Sequence, residues 1–283
     1  MLNRGSRRPA PGRHETLAAA LVGLVLVSAA SAAEPAPSAG PPPTEAEAAS
    51  YDECMGLARR DPHAGLDFAE AWRSRRGAHP AEHCAGVALI GLKRYKEAAS
   101  RLETLGHAME KAPSSLRAGV FDQASQAWLL AGDGLSAYAA AGEALALTPN
   151  DPELLIDRAE AAGLSKQFDK ALPDLDQVLK ANPNRVDALV YRAAAYRALK
   201  HLDPALADAE KALALSPNLV SALLERGNIR SLRGDTAGAR ADWQRILAVA
   251  PESPEAATAK ANLAAVASEP NGGDTKGAAG PPS

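Results

Sequence analysis

Four prolines, Pro149, Pro183, Pro217 and Pro251, stand 34 residues apart. The same step relates Ala137, Ala171, Ala205 and Ala239, then Leu145, Leu179, Leu213 and Leu247, and then Phe121, Leu155, Leu189 and Leu223. Four columns in one register constrain the fold more than any other feature of the chain. A fixed period in this range marks one supersecondary unit stacked on the next, each unable to bury its apolar face alone. Inside each period, apolar and small residues recur at three- and four-residue steps, which predicts two short amphipathic helices. In the last period Leu223, Gly227 and Ile229 mark the first helix, and Ala239, Trp243, Ile246 and Leu247 the second. Between them, Gly234 suits a helix C-terminus and Asp235 the next N-cap. Pro251 then closes the unit, because proline cannot continue the helical ladder. The chain is 46% hydrophobic but only 4% aromatic, with alanine abundant, which favours close-packed helices over a β-sandwich.

These residues resemble the tetratricopeptide repeat family. The resemblance is carried by the small residue of the first helix (Ala159, Ala193, Gly227), by the turns Gly132-Asp133 and Gly234-Asp235, by the alanine column and by the closing proline. Residues 89–105 form a further repeat, with Gly86, Tyr95 and Ala98 in matching places. Five repeats result, at about 79–113, 118–151, 152–185, 186–219 and 220–253, forming a solenoid over 79–268. The resemblance implies an all-α fold: a right-handed superhelical solenoid of stacked helix-turn-helix hairpins, with 254–268 as a C-terminal capping helix. Residues 47–78 read as a degenerate hairpin that restarts at Asp61-Pro62. Two departures stand out. Pro173 falls inside a second helix, where a mild kink is expected, and the junction at 107–118 is longer than the others.

The flanks read differently. Arg4, Arg7, Arg8 and Arg13 precede a short apolar run, which small residues follow, the order of a cleavable secretory signal over 1–33. Without it, 27 basic residues face 33 acidic ones, near −6. Residues 34–46 are Pro-rich and read as an extended linker; 269–283 read as a disordered tail. The expected location is therefore periplasmic or secreted, with no membrane span after signal cleavage.

Arg158, Arg192 and Arg226 recur at 34 residues, as do Asp174, Asp208 and Asp242, each Arg sixteen residues before its Asp. The matched acid favours an ion pair between the two helices of a hairpin, worth under about 1 kcal/mol if exposed. The alternative is a row of anion-binding arginines. The stretch His79-Pro80-Ala81-Glu82-His83-Cys84 spells a zinc-peptidase motif. Pro80 suits the first turn of a helix, which puts His79 before the helix and argues against a metal. Cys54 and Cys84 are the two cysteines of the chain. Both fall on first helices of neighbouring hairpins, which lie side by side in such solenoids, and an exported protein meets an oxidising compartment. A disulfide between them closes a loop of about 30 residues, worth roughly 3 kcal/mol in the loop-entropy model; two free thiols are the alternative.

The resemblance also implies that the first helices line a concave face that holds a protein or peptide segment. By register, the residues exposed there are Asp122, Gln123, Gln126, Glu153, Asp157, Glu160, Asp187, Tyr191, Arg197, Glu225 and Asn228. This largely acidic and amide-bearing set, with one acidic field across three repeats, predicts a neutral or basic partner, although a merely solvated face has the same composition. No basic stripe with interleaved aromatics favours nucleic acid. No phosphate loop, nucleophile elbow or metal cluster points to an enzyme or a cofactor. The expectation is a non-enzymatic binding scaffold of a cell-envelope complex, or a permanent structural subunit of one.

Overall fold

The computed structural model describes residues 44–73 and 78–268. Among the described residues there are thirteen helices and no strand. They pair in sequence order: α1 (Glu45–Arg60) with α2 (Pro62–Arg73), α3 (Ala78–Gly91) with α4 (Tyr95–Ala108), and α5 (Ser114–Leu130) with α6 (Gly134–Leu147). Next come α7 (Pro152–Leu164) with α8 (Phe168–Ala181), α9 (Val186–Ala198) with α10 (Leu202–Leu215), and α11 (Val220–Leu232) with α12 (Thr236–Val249). The thirteenth, α13 (Pro254–Ser268), packs on α12 and α11. The fold is an all-α helical repeat of the solenoid class. The expected signal at 1–33, most of the linker and the tail at 269–283 lie outside the described residues. Thr44 and Glu47 form a reciprocal capping box that starts α1, so Glu45 and Ala46 belong to that helix and not to the expected linker.

The chain divides into two compact units, 1–178 and 179–283, with the boundary inside α8. In the first unit, α5 packs against α4, α6 and α7. Phe121, fully enclosed, lies against Gly106, where a Cβ would come within 2.7 Å of the ring. The long junction is absorbed mainly by the helix that follows it. That helix, α5, has 17 residues where α7, α9 and α11 have 13, and only 109–113 remain as loop. In the second unit, α9 packs on α10 and α11, and α11 on α12. Pro173 does not interrupt α8, which runs through it as one helix. The closing prolines follow α6, α8, α10 and α12 by two residues.

The columns are the core. Ala137, Ala171, Ala205 and Ala239 are buried, as are Phe121, Leu155, Leu189 and Leu223. Another relation runs across each hairpin between residues sixteen apart. A Cβ on Gly227 would meet Trp243 Nε1 at 2.6 Å, and one on Gly86 would meet Leu102 Cδ2 at 2.7 Å. Ala159 stands at the same place relative to Leu175, and Ala193 relative to Ala209. In two hairpins a glycine on the first helix thus makes room for a large side chain on the second.

Every turn within these five hairpins uses one construction. The second residue past each first helix has positive φ: Lys93 (59°), Gly132 (75°), Lys166 (60°), Lys200 (65°) and Gly234 (82°). The next amide then reaches back over the helix end: Arg94 to Leu89, Asp133 to Trp128, Gln167 to Ala162, His201 to Tyr196 and Asp235 to Arg230, all at 2.8–3.0 Å. This is the Schellman closure, which gives the last carbonyls a partner. Asp133 and Asp235 also cap the following helix, accepting from the amides of Ser136 and Gly238. Three of the five turns hold lysine in a conformation that costs an L-residue about 1–2 kcal/mol. Glycine regains most of that at some cost in unfolded-chain entropy. Lys166→Gly and Lys200→Gly should each stabilise the protein by about 0.5–1 kcal/mol in denaturant unfolding, while Gly234→Ala destabilises it. No gain from either lysine substitution would contradict this account of the turns.

Candidate functional site

The site expected from the sequence sits on first helices, and its structure begins with the residues of the apparent metal motif. The helix α3 starts at Ala78, so His79 and Pro80 lie in its first turn. This corrects the expectation that His79 precedes the helix. First-turn amides have no intrahelical acceptor, so proline is tolerated there. Glu82 accepts from Arg73 at 3.2 Å and from Arg101 at 3.0 Å, and Arg101 also holds Glu70 at 2.6 Å. Cys84 is joined to Cys54, and both are fully buried. His83 lies between two side chains from other hairpins. Its Nε2 donates to Gln123 Oε1 at 2.8 Å, because a side-chain carbonyl only accepts, and its Nδ1 therefore accepts from the Tyr51 hydroxyl at 2.8 Å. Burial pushes the imidazole below its usual range, against the opposing effect of the Gln123 bond. Each residue from Glu82 to Cys84 has a structural partner. Among the described residues no group of three or more His, Cys, Asp or Glu is arranged to hold a metal ion.

A second polar group adjoins this chain on α5 and α7. Gln126 Nε2 donates to Asp122 Oδ2 and to Asp157 Oδ2, each at 3.2 Å. Asp157 is buried at 5% exposure. Asp122 Oδ1 is enclosed and receives no hydrogen bond from any donor. Burial and the neighbouring Asp157 carboxyl push the Asp122 carboxyl well above the usual aspartate range.

The structure corrects the expectation that the groove residues are exposed. In the first unit Glu153 is exposed, Asp157 is buried, and Asp122, Gln123, Gln126 and Glu160 are partly buried. In the second unit Asp187, Tyr191, Arg197, Glu225 and Asn228 are all partly buried. Arg197 grips Glu225 with two bonds, at 2.6 and 3.2 Å, so two of the expected residues neutralise each other. Arg185 does the same for Asp187, at 2.7 and 2.9 Å. Asn228 Oδ1 accepts from Trp243 and from Asn262, tying α11 to α12 and α13. Register gives the face of a helix, but it does not say what the neighbouring helix lays over that face. His83 and Tyr51 join Gln123 in a hydrogen-bonded chain that sequence reasoning did not foresee.

The Arg–Asp column forms as bidentate pairs between the helices of three hairpins. The bonds are 2.8 and 2.6 Å for Arg158–Asp174, 2.7 and 2.8 Å for Arg192–Asp208, and 3.0 and 2.6 Å for Arg226–Asp242. These arginines are engaged in structure, against the alternative of an anion-binding row. The exposed-pair energy does not apply either, since all three carboxylates are buried. Removing one partner strands a buried charge, whereas replacing both with apolar groups is often neutral. One repeat earlier, the same two positions hold Ala124 and Ala140, both buried. Arg192→Met alone should cost about 3–5 kcal/mol of unfolding free energy, and Arg192→Met combined with Asp208→Leu should recover most of it. Equal losses in the single and double variants would show that the buried charge is not what matters.

His83 gives a prediction of its own. Its native pKa lies below the unfolded value, so the stability it contributes is present above the ordinary imidazole range and is lost as pH falls through the native value. Nitrogen NMR at pH 7 should show a neutral ring protonated at Nε2, titrating below the ordinary histidine range. An imidazolium at pH 7, or the Nδ1–H form, would overturn the assignment.

Comparison with known proteins agrees with this architecture. A tetratricopeptide repeat protein of Parabacteroides merdae superposes with TM-score 0.63 at 15% identity, over 77% of this chain and 91% of that one. A thermophilic TPR protein of Thermus thermophilus gives 0.52 at 21% identity, over 67% and 99%. YrrB, described as a TPR protein with an unusual peptide-binding site, gives 0.50 at 15% identity, over 68% and 97%. No protein-family model matches the chain, and no curated protein matches it. The chain has the tetratricopeptide repeat fold.

Proposed function

We propose that this protein is a helical-repeat scaffold that binds a protein or peptide segment on its first-helix face, in the periplasm or as a secreted protein, within a cell-envelope complex. One observation carries the binding reading. Gln123, Asp157, Tyr191 and Glu225 occupy a single 34-residue column on the first helices, polar in these four repeats, while two residues earlier stands the apolar column Phe121, Leu155, Leu189 and Leu223. A face that only had to pack would gain by being apolar. The peptide-binding site described for YrrB, a protein of the same fold, is in keeping with this reading. Export is supported by the order of basic, apolar and small residues at the N-terminus, together with the buried Cys54–Cys84 disulfide. Glu153 is the exposed acid on this face of the first unit, so the partner segment is neutral or basic.

The test is cross-linking in the envelope fraction, capture of the mature chain, and identification of what is bound. Glu153→Lys should weaken capture, more so at low salt. Glu210→Lys on the exposed side of α10 is the control. Both substitutions should leave stability within about 0.5 kcal/mol. Equal capture by the two variants would remove the face from consideration. Export has a separate readout. The protein should begin after Ala32 or Ala33 and take up no alkylating reagent until reduced. An intact N-terminus with two reactive thiols would refute it.

A further inference from the structure

Three of the five turns place lysine where glycine sits without strain, and two of these turns, at Lys93 and Lys166, belong to the first unit. Both lysines are exposed. Among the described residues, neither ammonium has an ion pair or a hydrogen bond. Packing of the flanking helices permits the strained backbone, but it does not call for a charged side chain there. Residues held in costly backbone conformations gather at binding sites, and the surroundings of these two lysines fit one.

The turns of three successive hairpins adjoin along one edge of the first unit. A Cβ on Gly134 would meet the Ser165 amide nitrogen at 2.7 Å and Leu164 Cβ at 3.0 Å, so the α5–α6 turn rests on the end of α7. Bonds from Ser136, helped by the nearby charge of Lys96, hold the Asp133 carboxylate below its usual range, so the start of α4 lies near that turn too. Lys170, at the start of α8, stands 5.4 Å from the centre of the Tyr138 ring on α6. Leu135 follows Gly134 and Leu164 packs against it, yet they are 62% and 46% exposed. The column of Leu135 holds Asp169 and Asp203 in the next two repeats, so a charged residue suits that position. Arg94 is neutralised by Glu97 at 2.6 Å. Lys93, Lys96, Lys166 and Lys170 then outnumber Asp133 and Asp169, and the edge is basic around an exposed apolar pair.

We propose that this turn edge of the first unit, with Lys93, Lys96, Leu135, Leu164, Lys166 and Lys170, is a second docking surface that takes an acidic protein segment bearing apolar side chains. It is separate from the first-helix face, since Glu153 lies at the other end of α7 from Leu164. Carboxylates of the segment meet the ammonium groups, and its apolar side chains cover Leu135 and Leu164. Asp133 and Asp169 stand among the lysines. A continuous anionic sheet such as a lipid surface meets repulsion from them, which a single segment avoids by the spacing of its acids.

The probe is a fluorescent acidic peptide carrying two leucines, titrated against the full mature chain with its disulfide intact. Binding should saturate at low salt and weaken as salt rises. Amide shifts in NMR should fall on residues 92–96, 131–138 and 163–170. Lys93→Gly combined with Lys166→Gly should weaken binding about tenfold, while the melting temperature rises because both turns are relieved. A lysine with a purely structural role gives no such opposition between stability and affinity. Lys111→Gly removes an exposed charge beyond the other end of α5 and should leave binding unchanged. Glu153→Lys should leave it unchanged as well, which separates this surface from the first-helix face. Equal weakening by Lys111→Gly, amide shifts centred on the first-helix face, or no saturable binding would each overturn the proposal. Vesicles of anionic lipid that bind as tightly as the peptide, with the same dependence on Lys93 and Lys166, would put a membrane surface in place of the protein segment and overturn it too.

Discussion

Everything in this molecule rests on how closely the two helices of a hairpin meet, and residues sixteen apart set that distance. One such relation is a bidentate guanidinium–carboxylate pair, found in three hairpins. Two parallel N–H···O bonds on a planar fork tolerate little sliding, so the pair fixes the axial register of the hairpin. The adjacent relation is steric. Gly227 makes room for Trp243, Gly86 for Leu102, and Ala159 stands opposite Leu175. The first relation resists sliding and the second sets the separation. Where Ala124 and Ala140 replace the ion pair, two buried methyl groups take its place, and the closed turn at Gly132 and Asp133 still holds the hairpin.

Much of this was legible because it is periodic. The alanine, leucine and proline columns gave the hairpins, and Gly234-Asp235 gave one turn. The same turn at Lys93, Lys166 and Lys200 was hidden, because lysine carries no signal for a positive φ. Its presence there follows from the helices on either side, whose packing outweighs a local cost of about 1–2 kcal/mol. The pairing of Gly227 with Trp243 was visible as letters, but that a Cβ at Gly227 would come within 2.6 Å of the indole required coordinates. The Arg–Asp pairs were legible as pairs. Their burial was not, and burial changes their energetics from negligible to decisive.

The polar cluster of the first unit was harder to read because it escapes the period. His83 meets Gln123 across 40 residues and Tyr51 across 32. The five-residue extension of the junction shifts the early repeats out of register with the later ones, so column arithmetic does not pair these residues. Asp122, Gln126 and Asp157 were each legible as first-helix polar residues. That one amide serves two carboxyls depends on the way α7 lies against α5. Asn228 shows the same limit in the second unit, where α13 covers a position that register leaves open.

These bonds set the terms on which a partner meets the first-helix face. A partner that took Gln123 or Gln126 would have to replace the bond that Gln123 accepts from His83 or those that Gln126 donates to Asp122 and Asp157. A donor or acceptor left buried and unpaired costs about 1–3 kcal/mol, comparable to what a new contact brings. A segment that leaves the cluster intact and bonds at its edges avoids that cost. Counting acids along the first helices therefore overstates the charge such a segment meets. Glu225 is matched by Arg197 and Asp187 by Arg185.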